Sequence, residues 1–168
     1  TNITVTALTA SFILYTRSAG VVYFALGSTA CMFSVKLVKR LIRQERPVTQ
    51  RSEKKRKKSY GMPSTHSASI AFYATFIPLA CIYLPIHNTL PQSWFIRVIP
   101  PLIVWPWATL IALSRILLGH HTVPQVAVGW AYGVTFAFFW FYMWTGCGMN
   151  KVGNEAEQMW NSYLELWR

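Results

Sequence analysis

An arginine and a histidine six residues apart, Arg115 and His121 in the stretch Ser114–Gln125, have the side chains best suited to handling an anion. A guanidinium is a fixed, always-charged planar fork that matches phosphate oxygens. An imidazole can attack phosphorus or move a proton near neutral pH. The stretch ends one apolar run and opens the next, so both side chains fall where a membrane span meets water. Alone, the pair reads first as interfacial anchoring. Chemistry requires other segments to deliver matching groups to the same place.

Two segments qualify. Lys39 and Arg46 are seven residues apart, two helical turns, so a helix closed by Pro47 presents both on one face with Arg43 nearly between them. Basic side chains snorkelling from a span end are the plainer account. In Gly61-Met62-Pro63-Ser64-Thr65-His66, Ser64 or Thr65 stands in the capping position of a helix start. The first N–H groups of such a helix, and its dipole, favour an anion, and His66 stands in the first turn beside it. A capping turn with an incidental histidine is the alternative.

The elements that must position these residues are apolar. Of 168 residues 53% are hydrophobic and 12% charged, with eight Trp and eight Tyr. The spacing predicts an all-α polytopic bundle with about five spans: residues 3–16 (a span or the remnant of one), 19–42, 66–86, 94–118 and 122–145. Pro100, Pro101 and Pro106 predict a kinked or broken fourth span. The aromatic-rich fifth run, with Trp130, Phe136, Phe138, Phe139, Trp140, Phe141 and Trp144, reads as lipid-facing bulk. A membrane domain over residues 1–146 then gives way to a tail, 147–168. There Met159, Trp160, Tyr163, Leu164 and Trp167 recur at helical spacing opposite Glu157, Asn161 and Glu165, the pattern of an interfacial amphipathic helix or a partner-binding one.

Charge is lopsided, 16 Lys and Arg against 5 Asp and Glu, for a net +11. The block Arg51–Ser59 reads as part of a mobile basic loop, 48–60, able to hold anionic lipid. Nucleic acid is excluded as a partner, because the basic residues lie between spans without a nucleic-acid fold signature. Cys31, Cys81 and Cys147 show neither disulfide nor metal spacing and read as packing residues. The chain opens on Thr1, and a preceding segment is expected. Alternating the five spans brings the basic end of the second, the start of the third and Ser114–Gln125 to one membrane face, with the tail on the other.

Together the three segments spell Lys39-x6-Arg46-Pro47, Pro63-Ser64-Thr65-His66 and Ser114-Arg115-x5-His121, in that order. The chain thereby resembles the type 2 phosphatidic acid phosphatase superfamily of helical membrane lipid phosphatases, whose pattern is K-x6-R-P, P-S-G-H and S-R-x5-H-x3-D. The resemblance implies a six-helix core. It implies His121 as a nucleophile forming a phosphohistidine, His66 as general acid and base, and Lys39, Arg46, Ser64, Thr65 and Arg115 as phosphate-binding. Thr65 replaces a glycine, tolerable if its N–H is the donor. Gln125 replaces the aspartate that orients the nucleophile; an amide can fix the tautomer but hardly stabilises positive charge on the ring. These departures, with His121-Thr122-Val123-Pro124-Gln125-Val126, are similar to the dolichyl diphosphatase branch. The five acids are scattered, so neither a metal nor another cofactor is expected.

The leading expectation is an enzyme that removes the terminal phosphate of a dolichyl or other polyprenyl diphosphate in the endoplasmic reticulum membrane, with lipid and bilayer as partners. The same chemistry on a sphingoid-base phosphate or phosphatidate comes next. A catalytically weak lipid-phosphate binder or scaffold is third, because of Gln125. The resemblance implies a lumenal site, whereas eleven Lys and Arg on the site face against four on the other point to the cytosol.

Overall fold

A computed structural model describes residues 2–46 and 60–167; Pro47 and the basic block Arg51–Ser59 lie outside the described residues. The described residues form six helices, α1 (Asn2–Thr16), α2 (Ala19–Ile42), α3 (Thr65–Tyr83), α4 (Phe95–Leu117), α5 (Val123–Thr145) and α6 (Met149–Glu165), without a strand. Four of them, α2 to α5, are long and apolar enough to cross a membrane. The 15 residues of α1 fall short of the roughly 20 that a hydrocarbon core requires, so four runs here, not five, have spanning length.

Helix α3 is the hub, packed on α5, α4 and α2. In lipid, helices associate through close packing, and small residues permit it. Gln125, Gly129, Gly133 and Ala137 recur every fourth residue on α5 and are all buried, one stripe laid against α3. The approach is at backbone contact: a Cβ on Gly133 would stand 2.1 Å from the Ala68 carbonyl oxygen, and one on Gly129 2.6 Å from that of Ser64. Gly27 of α2 likewise admits the Trp140 ring. Tyr23 and Trp140 then bond reciprocally to each other's carbonyl at 3.0 and 3.1 Å.

The aromatics of α5 divide, against the expectation of uniform lipid facing. Phe138 and Phe139 are exposed, but Phe136, Trp140, Phe141 and Trp144 join Phe72, Phe76 and Tyr23 in the core. Phe136, Trp140 and Trp144 recur every fourth residue, with Phe141 beside Trp140, which keeps them on the α2/α3 side. Helix α4 runs unbroken through its three prolines. Pro100 cannot donate to the Ile96 carbonyl, and the Cys81 thiol occupies that acceptor at 3.7 Å instead.

The far end of the bundle is fastened by Glu157 of α6. One carboxylate oxygen accepts from the Ala19 N–H at 2.7 Å, capping α2 at its positive end, and the other meets His87 of the α3–α4 loop at 2.8 Å. Asn150, Gly153, Glu157 and Leu164 are partly buried while Met159, Trp160, Tyr163 and Trp167 are exposed, so α6 keeps an exposed apolar side, but Leu164, expected on that side, lies with Glu157 instead and Asn161 is exposed. The ends carrying Arg46, His66 and His121 gather at the other end, as alternating the spans required.

Gly133→Ala is expected to lower the detergent melting temperature by the equivalent of about 2–3 kcal/mol, because neither backbone can yield. Gly20→Ala, whose Cβ would find its nearest neighbour at 3.6 Å, is expected to leave it unchanged.

Candidate active site

Arg46 does not reach the site along a helix face. Helix α2 ends at Ile42, and Arg43 adopts the left-handed conformation (φ 53°) with its N–H on the Lys39 carbonyl. That turn sends the Arg43 side chain back to the Arg40 carbonyl at 3.0 Å, exposed and away from the cluster. The two-turn spacing of Lys39 and Arg46 is therefore not a shared face. Arg46 arrives on an irregular segment strapped from two sides: Gly61 N–H donates to the Gln44 carbonyl at 2.6 Å, and Gln125 Nε2 donates to the Glu45 carbonyl at 2.9 Å. Lys39 is still helical and buried, its Nζ on the Tyr60 carbonyl at 3.4 Å.

Ser64 is the N-cap of α3, preceded by a cis Met62–Pro63 peptide. It is fully buried, and its own N–H donates to the Gln125 carbonyl at 3.0 Å, which joins the start of α3 to α5. Its hydroxyl oxygen accepts from Ser67 N–H at 3.4 Å and from the Ser67 hydroxyl at 2.9 Å, and its carbonyl accepts from Ala68 N–H. Of the four N–H groups that a helix start leaves over, those of Thr65 and His66 remain. His66 is exposed in the first turn.

The six-residue interval between Arg115 and His121 has a local cause. Gly119 takes φ 66°, a conformation glycine adopts without strain, and the N–H groups of His120 and His121 both return to the Arg115 carbonyl, at 3.0 and 3.2 Å. The chain thus reverses within one turn and folds His121 back toward Arg115. Thr122 then caps α5, its N–H donating to Gln125 Oε1 at 3.3 Å. His121, 4% exposed, sets Nδ1 3.1 Å from the same oxygen, and Gln125 is 1% exposed.

Positive charge is concentrated here, and none of these cations forms an ion pair among the described residues. Arg115, Lys39, Arg46 and His120 all lie near enough to His66 to act on it electrostatically, and Arg46 and Lys39 act on His121. The Nε atoms of Arg46 and Arg115 are buried and have no hydrogen-bond partner among the described residues. Burial pulls Arg46 below the ordinary arginine range, though it stays charged. Burial also pushes the His121 imidazole down to about 4, helped by Arg46 and Lys39 and opposed by hydrogen bonds to Gln125 and the Gly61 backbone. His121 is therefore neutral at pH 7. No three His, Cys, Asp or Glu side chains cluster in a metal-holding group among the described residues.

The structure thus brings together Lys39, Arg46, Ser64, Thr65, His66, Arg115, His121 and Gln125. Sequence reading missed Gln44, Glu45, Tyr60 and Gly61, whose contributions are largely through the backbone. It also missed Gly129 and Gly133, although two glycines four apart in an apolar run are a packing signal. An NMR titration should give His121 a midpoint near 4, far below the ordinary 6.5. Because the unfolded chain takes up that proton first, stability should fall as pH drops from about 6.5 through 4, less steeply in His121→Ala.

A family model described as the PAP2 superfamily matches residues 18–148. The chain is 31% identical over 134 residues to lipid phosphate phosphatase gamma of Arabidopsis thaliana, covering 79% of this chain and 57% of that one. It is 29% identical over 131 residues to dolichyldiphosphatase 1 of Dictyostelium discoideum, covering 78% and 55%. Over 76 residues it is 38% identical to sphingosine-1-phosphate phosphatase 1 of Rattus norvegicus, covering 45% and 16%. It spans little more than half the length of the first two relatives. The crystal structure of a transmembrane PAP2-type phosphatidylglycerolphosphate phosphatase from Bacillus subtilis shares the fold, with a TM-score of 0.60 at 22% identity over 80% of this chain and 64% of that one. With four helices of spanning length and a family model that covers most of its residues, this chain is an integral membrane protein and belongs to the PAP2 superfamily.

Proposed function

We propose that the protein hydrolyses the terminal phosphate of a membrane lipid, by preference a dolichyl or other polyprenyl diphosphate, through a phosphohistidine. The observation that carries this reading is the pair of buried Arg46 and Arg115 Nε donors, unpartnered among the described residues, beside a neutral buried imidazole and a helix start. Such a cluster of cations repels itself and suits a multiply charged anion.

The roles follow from the groups present. Gln125 Oε1 only accepts, so the His121 Nδ1 carries the proton and Nε2 keeps its lone pair. That nitrogen forms a bond to the terminal phosphorus as the bridging P–O bond breaks, and His66, whose charged form desolvation and the surrounding cations disfavour until the substrate's negative charge offsets them, gives its proton to the departing oxygen. Water then attacks the phosphohistidine, passing a proton to His66, and the P–N bond breaks to release phosphate. Lys39, Arg46, Arg115 and the Thr65 and His66 N–H groups hold the equatorial oxygens, where phosphoryl transfer needs charge stabilisation and alignment. Ser64 can add its own hydroxyl hydrogen, since its oxygen is occupied in capping. The side chains present supply this chemistry without a metal.

The relative named dolichyldiphosphatase 1 in Dictyostelium discoideum, together with Thr65 and Gln125, favours a polyprenyl diphosphate in the endoplasmic reticulum membrane. The engagement of Gln125 with His121 speaks for a working nucleophile over a mere lipid-phosphate binder.

Phosphate release by the purified protein in detergent with EDTA, compared across dolichyl diphosphate, phosphatidate and a sphingoid-base phosphate, tests the proposal. Dolichyl diphosphate should be preferred, and His121→Ala should lose on the order of a thousandfold or more in kcat/KM. Undiminished release by His121→Ala would refute the phosphohistidine, and preference for another lipid would refute the substrate.

A further inference from the structure

We infer that the Gln125 carboxamide is a two-way positioning device for the reaction proposed above, holding the nucleophile with its oxygen and the Arg46-bearing segment with its nitrogen. The inference rests on that reaction. Its geometric basis is the complete use of one buried amide. Oε1 accepts from His121 Nδ1 at 3.1 Å and from Thr122 N–H at 3.3 Å. Nε2 donates to the Glu45 carbonyl at 2.9 Å and to Gln44 Oε1 at 3.4 Å. A backbone N–H only donates and a backbone carbonyl only accepts, so Thr122 and Glu45 between them fix which way the amide points.

Arg46 directly follows Glu45, and its guanidinium Nε is buried without a partner among the described residues. Its placement therefore depends on the backbone before it, which the Gln125 amide and Gly61 N–H hold. Gly61 closes the other side of the amide: a Cβ there would stand 2.5 Å from Nε2. One side chain thus links α5, the nucleophile and the segment leaving α2.

A carboxylate cannot do this. It would keep the acceptor for His121 but turn a second acceptor on the Glu45 carbonyl, which, unlike the Gln44 side-chain amide, has no donor to offer in its place. Aspartate would in addition fall a methylene short. Gln125 is thus not a weakened aspartate, and restoring the residue usual in the family pattern is not a repair. Being uncharged, it favours protonation of the imidazole less than a carboxylate would, which extends the neutral, attacking form toward acid pH.

The test uses the full chain, with dolichyl diphosphate as substrate and inorganic phosphate as competitive inhibitor. Gln125→Glu should raise the phosphate inhibition constant about tenfold and move the acid limb of kcat/KM upward by about a pH unit or more. Gln125→Asn, uncharged but short, should raise the inhibition constant comparably and leave the limb in place. Gln125→Asp should be no better than Gln125→Glu. Detergent melts identify folded variants, and if Gln125→Glu fails to fold, the Asn variant decides. Wild-type phosphate affinity in Gln125→Asn, or activity at or above wild type in Gln125→Asp while His121→Ala is dead, would overturn the inference and leave the phosphatase reading standing. Full activity in His121→Ala would remove both.

Discussion

The site depends on the contact of two helix backbones. Gly129 and Gly133 let α5 lie directly on the first turns of α3, and that approach sets the Ser64 N–H on the Gln125 carbonyl. Since Gln125 holds both His121 and the Glu45 carbonyl, every segment of the site is referenced to this one crossing. In lipid the crossing has no hydrophobic drive behind it, so its strength comes from packing that any added atom disrupts.

Around that frame the fold gathers cations that oppose one another. Lys39 and Arg46 act on both histidines, and the buried Nε atoms of Arg46 and Arg115 lack acceptors among the described residues. Such an arrangement costs stability when empty and gains most from a ligand that carries several negative charges in small volume. The same field, with burial, keeps His121 neutral and so available to attack. At the other end Glu157 performs the opposite service, an anion at the positive end of α2 that ties α6 to the bundle.

The residues of the site were legible because their types survive any uncertainty in geometry: Lys39, Arg46, His66, Arg115 and His121 announce anion chemistry by side chain alone. Their placement was less so. The two-turn spacing of Lys39 and Arg46 suggested a helix face, but the left-handed Arg43 ends α2 first, and a positive φ at an arginine leaves no mark in sequence. The Thr122-x-x-Gln125 capping box was readable and was passed over, because Gln125 was weighed only as a substitute for an acid. Gln44, Glu45 and Gly61 act mainly through carbonyls and N–H groups, which every residue owns. The division of the α5 aromatics into core and lipid-facing sets required knowing which side of the helix its small residues occupied.

The most direct test of the anion clamp is the melting temperature of the purified protein with increasing inorganic phosphate, at constant ionic strength and with EDTA, beside the Arg46→Ala/Arg115→Ala double variant. A ligand that binds the folded state at a hundred times its Kd stabilises it by about 2.7 kcal/mol, a shift readily seen. The account predicts a saturable rise in the wild type that is lost in the double variant. No rise in the wild type, or an equal rise in both, would contradict it.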